Sequence, residues 1–71
     1  MDNKDVISTL NDLIETSKDG EKGFRECVED IKRTDLKALF LDRAQGCAVA
    51  ASELQALVRS LGGDPETGGS L

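Results

Sequence analysis

The sequence predicts an all-α protein, an antiparallel two-helix hairpin that assembles into a four-helix bundle, most simply as a homodimer. Three observations carry this. Apolar and small residues recur at helical spacing through most of the chain. Helix-ending signals occur near residue 33 and again at Gly62–Gly63. No stretch alternates as a strand would. With 71 residues the chain is one domain, short enough that staples or partners are normally needed to complete a core.

The first helix is expected from about residue 3 to 32. Asp2, Asn3 and Asp5 supply cap candidates and first-turn acids. Its stripe comprises Val6, Ile7, Leu10, Leu13, Ile14, Ser17, Gly20, Phe24, Cys27, Val28 and Ile31. That is three positions per heptad, the width a bundle buries. Gly20 and Gly23 interrupt it, at up to about 1 kcal/mol each relative to Ala. The phase survives them, so one continuous helix is expected.

Arg33 and Thr34 form the turn, with Thr34 as the N-cap of the next helix. That helix is expected from about 35 to 61. Its seam is Leu36, Phe40, Arg43, Cys47, Ala50, Leu54, Leu57 and Leu61, an unbroken heptad register. Ala44, Ala51 and Val58 widen the stripe on one side. Gly62 and Gly63 stop the helix, and Pro65 blocks a restart. Residues 1–61 are thus the hairpin and 62–71 a Gly-rich tail, read as a linker or frayed end.

The hairpin should be about 40–45 Å long at 1.5 Å per residue. Its turn sets facing residue numbers to sum to about 67. Phe24 should then meet Arg43, Cys27 meet Phe40 and Leu13 meet Leu54. The cysteines fall roughly 10 Å apart along the axis, too far for a disulfide. Both are expected to pack as reduced thiols.

Composition narrows the function. Net charge is −5 with pI near 4.5, which opposes sequence-independent nucleic-acid binding. No apolar run approaches the ~20 residues that span a membrane. No export signal is visible, so the expected compartment is the cytoplasm. There is no His, which removes His-based catalysis and His-ligated metals. The serines and threonines lack a base to activate them. GGDPETGG lacks the features of a phosphate loop. No cofactor is expected.

Three features remain. Ser17, Gly20 and Gly23 face Ala44, Gly46, Cys47, Ala48, Ala50 and Ala51 in a small-residue waist, read as close packing or, alternatively, a ligand or metal pocket. Glu21 is the one acid on the buried stripe of the first helix and Arg43 the one charge on the second seam. They are expected to form a core ion pair, with Glu21 otherwise a carboxylate metal ligand, or with one or both side chains snorkelling to the surface. Asp5, Asp12, Asp19 and Glu26 read as a solvated stripe beside a basic row of Lys4, Lys18, Arg25 and Lys32.

LNDLIETSKDGEKGFRECVEDIK, followed by LKALFLDRAQ and SELQALVRSLGGDPETGGS, resembles the N-terminal half of a bacterial family of ferritin-like four-helix-bundle proteins, a domain of unknown function. LNDLIE, DGEKGF and LVRSLGGDP are its specific stretches. The resemblance implies a cytoplasmic ferritin-like bundle without an assigned activity. Family members continue through a linker like this tail into a second hairpin. This chain stops at Leu71, so it is expected to borrow helices or to be a shortened version. Ferritin-like di-iron sites use Glu-x-x-His. Here only Glu15 or Glu21 and, on the second helix, Asp42 and Glu53 are available, with Ala56 where the histidine would stand.

The functional expectation is therefore a non-enzymatic structural or interaction module. Its partner is itself, as a homodimer or higher even oligomer, with no nucleic acid or membrane. The self-association surface is Val6, Leu10, Leu13, Phe24, Ile31, Phe40, Leu54, Leu57 and Leu61. The alternative is a metal- or small-molecule-binding ferritin-like protein using Glu21 and the waist.

Overall fold

The computed structural model describes residues 2–68. Two helices, α1 (Asn3–Asp30) and α2 (Thr34–Ser60), pack along their length as an antiparallel hairpin 47 Å long. There is no strand among the described residues.

Asp2 caps α1: its carboxylate accepts from the Asp5 N–H at 3.0 Å. The helix runs unbroken through Gly20 and Gly23. At Gly20 the two helices are in close contact: a Cβ there would stand 3.2 Å from Cys47 Sγ. This contact also fixes the register, because 20 and 47 sum to the expected 67. Gly23 has nothing within 4 Å and is not needed for packing.

The connection differs from the expected two-residue turn. α1 ends at Asp30, since Ile31 turns extended (φ −87°, ψ 126°). Ile31–Arg33 link the helices, and Thr34 is already helical rather than a cap. Arg33 occupies the cap position without capping the backbone. Its guanidinium instead grips the Asp35 carboxylate through two bonds, 3.1 and 2.6 Å. That contact holds the Asp35 carboxyl below its ordinary value. A depressed folded-state pKa stabilises the helix start above the ordinary value of 3.8, and the gain is lost as pH falls through the lowered one. Carboxyl NMR titration should find the Asp35 midpoint below 3.8, and Arg33→Ala should restore it.

At the other end Gly62 and Gly63 do different work. Gly62 takes φ +83°, a left-handed conformation that costs a side-chain-bearing residue about 1–2 kcal/mol. Its N–H donates to the Arg59 carbonyl and that of Gly63 to the Val58 carbonyl, each at 3.0 Å, a Schellman closure. Gly63 is instead sterically required. A Cβ there would lie 2.8 and 2.9 Å from the Ile7 side chain and 3.1 Å from Val58.

The tail is not frayed after Gly63, which corrects the sequence expectation for its first half. Asn11 Nδ2 donates to the Asp64 carbonyl (3.1 Å), and the Glu66 N–H donates to Asn11 Oδ1 (2.7 Å). One amide thus satisfies backbone on both sides of Pro65. Gln55 Nε2 donates to the Glu66 carbonyl at 2.8 Å, so the strap ties α1 to α2. The signal was in the sequence. Asn11 is the one neutral member of the heptad row Lys4, Asn11, Lys18, Arg25, Lys32. Asn11→Ala should free the strap, seen as lost amide-exchange protection at Glu66, and cost about 1 kcal/mol per bond removed. Residues 69–71 of the tail lie outside the described residues.

The fully buried core is small: Ile14, Ala44, Ala51 and Val58. On α2 this is the neighbouring row to the one expected. Both rows share Phe40, Cys47, Leu54 and Leu61, but Ala44, Ala51 and Val58 point inward while Arg43 and Leu57 are exposed. The alanines let the helix axes approach closely, and the bulkier row is left outside. Leu13 is likewise 48% exposed and is no inner-seam partner for Leu54. Phe24 lines one groove with Arg43, and its ring packs on Phe40. Their rings meet edge to face, 5.6 Å between centroids at 84°, a favoured aromatic geometry.

Candidate functional site

The two sides of the hairpin are chemically different. Asn11 and Gln55 lie on one side, since both hold Glu66. That side carries the basic row of α1 and the strap. A shallow groove of about 580 Å³ marks the opposite side, with Ser17 and Phe24 from α1 and Arg43, Cys47 and Ala50 from α2 in its lining. A second groove, about 290 Å³, lies against Phe24, Phe40, Gly20 and Cys27.

Heptad phase extends this open face along both helices. Leu10 and Ile31 share the row of Ser17 and Phe24, and Val6 and Leu13 share the row of Gly20 and Cys27. On α2, Leu54 and Leu61 continue the row of Phe40 and Cys47, and Leu57 that of Arg43 and Ala50. All nine residues expected to form the self-association surface therefore fall on one face. None of them is buried within the hairpin. Leu57 is 46% exposed and Leu13 slightly more. Of the small-residue waist, Ser17, Gly20, Cys47 and Ala50 line the grooves of this face, whereas Ala44 and Ala51 are in the core.

The expected Glu21–Arg43 core pair does not form in the hairpin. Glu21 accepts from Arg25 Nε and Nη2, both at 3.1 Å, because Arg25 lies one turn along the same helix face. Arg43 points outward, its side chain 60% exposed, and pairs with its neighbour Asp42 at 3.2 Å. Glu21 is more protected, with 21% of its side chain exposed. Its grouping with Lys18, Lys22, Arg25, Glu26 and Glu29 is a charged helix surface. No group of three or more Cys, Asp or Glu side chains is placed to hold a metal ion among the described residues.

Cys27 is exposed, against the expectation of burial, and Cys47 half-buried; both thiols are free. Cys27 shares its row with Leu13, at the edge of the open face, so the hairpin alone does not cover it. Among the described residues no helix is long and apolar enough to cross a membrane.

Residues 5–71, nearly the whole chain, match a family described as Domain of unknown function (DUF2383). The chain belongs to that family. Within this DUF2383 chain the matched span includes α1 from its third residue, all of α2, the Gly62–Gly63 stop and the strap. No curated protein matches the sequence.

Proposed function

We propose that this DUF2383 chain is a non-enzymatic interaction module that self-associates through its open apolar face into a ferritin-like four-helix bundle, most simply a homodimer. It works in the cytoplasm, with its thiols reduced. The observation that carries the reading is the mismatch between core and face. Among the described residues four apolar side chains are buried by the hairpin, while nine apolar ones on a single face keep solvent contact, Leu13 and Leu57 nearly half exposed. Apolar burial contributes roughly 25 cal/mol per Å², so covering that face is the largest stabilisation open to so small a chain. The antiparallel hairpin is the half-bundle such an assembly requires.

Light scattering across a dilution series tests this. The expected mass is twice 7.6 kDa or a higher even multiple, with high helicity. A stable helical monomer at every concentration would overturn it.

A further inference from the structure

We propose that two copies pair with α2 antiparallel to α2, about a two-fold axis level with residue 48, so that Arg43 of each copy meets Glu53 of the partner subunit. This rests on the self-association reading above and specifies its geometry. The outer row of α2 is Leu39, Arg43, Gly46, Ala50, Glu53 and Leu57, spaced three and four apart. Laid antiparallel on itself, the row is self-complementary. Gly46 falls against Ala50, Arg43 against Glu53, and Leu39 against Leu57.

Each of these positions is available. Leu39 is 43% exposed, close to the value for Leu57. A Cβ at Gly46 would meet nothing within 4 Å, so a second helix can approach there closely. Among the described residues Arg43 is held by an exposed contact to Asp42 alone, and an exposed pair of this kind contributes little. Glu53 is exposed and has no side-chain partner among the described residues. The charges also select the axis. A two-fold along the bundle would lay α2 on α1 of the partner subunit. The open rows of α1, from Val6 to Ile31, contain no carboxylate to receive Arg43.

The test is a charge exchange read by light scattering and circular dichroism. Arg43→Glu sets two carboxylates facing one another at each of the two contact points, and Glu53→Arg sets two cations facing one another at each. Each alone should weaken pairing by about 100-fold, as like charges facing one another do, and bring the mass to 7.6 kDa. An equimolar mixture restores both pairs in a heterodimer, so mass and helicity should return together. That rescue keeps the test decisive even if the separated hairpins lose helix. A wild type that assembles while either single variant keeps its mass, or a mixture that fails to recover, overturns this geometry and leaves self-association standing. A wild type that never exceeds the monomer mass overturns both.

Discussion

Leu13→Asp should abolish assembly and reduce helicity together. The expected size of the effect comes from where Leu13 sits. In the hairpin its side chain is 48% exposed, and substitutions at such surface positions ordinarily move stability by no more than about 0.5 kcal/mol. If the open face is covered by a second copy, the same substitution buries an unpaired carboxylate in an apolar interface. That costs several kcal/mol, more than a domain of this size normally has to spare. Leu54→Asp should behave the same way from α2, although it also removes half-buried packing within the hairpin. Leu13→Asp is therefore the cleaner variant. A protein that kept the wild-type mass and helicity with Asp at 13 would remove the apolar face as the assembly surface.

Gly63→Ala should be the most damaging single-methyl change in the described chain, lowering stability by about 1–3 kcal/mol, the usual penalty for overpacking. The added methyl would come within 2.9 Å of two Ile7 carbons and 3.1 Å of Val58 Cγ1. Ile7 is β-branched and stiff at χ1, so its Cγ2 cannot swing aside without the Cδ1 end moving too. Val58 is completely buried and has nowhere to go. Relief therefore has to come from lifting Gly63 away, which strains the Asn11 bonds to Asp64 and Glu66. Thermal unfolding should show the loss. Ile7→Ala should recover part of it in the double variant, a coupling of the sort found between residues in contact. Additive losses in that double-mutant cycle would show that Ile7 is not the obstacle. Gly62→Ala should cost about 1 kcal/mol for a different reason, the left-handed backbone, and Ile7→Ala should not relieve it.

Both predictions turn on a distinction that periodicity carries only in part. Helix content, the hairpin topology, the Asp2 cap, the glycine stop and the register near 67 were all legible. Each depends on residues close in sequence, or on a turn too short to permit another pairing. The inward row of α2 was not. A stripe three residues wide contains two heptad seams about 50° apart, sharing Phe40, Cys47, Leu54 and Leu61. Hydrophobicity favours the one with Leu36 and Leu57. Close approach favours the one with Ala44 and Ala51, which the hairpin buries. The same half-step rotation carries Arg43 outward and leaves Glu21 to Arg25 on its own helix.

The sequence by itself determined that this DUF2383 chain is two amphipathic helices folded back on one another, and which apolar residues exceed what a single hairpin can cover. Those properties follow from composition and spacing along one helix. Only the tertiary structure decided which large apolar residues stay most exposed, Leu13 and Leu57 on the open face and Leu39, Leu41 and Val49 beyond its nine expected residues, and that the opposite side carries a strap held by Asn11 and Gln55. It also decided that α2 presents Arg43 and Glu53 on the same outer row. The reason is physical. Which way a helix rotates about its own axis is set by the shape of the surface it meets, and that surface belongs to the other helix.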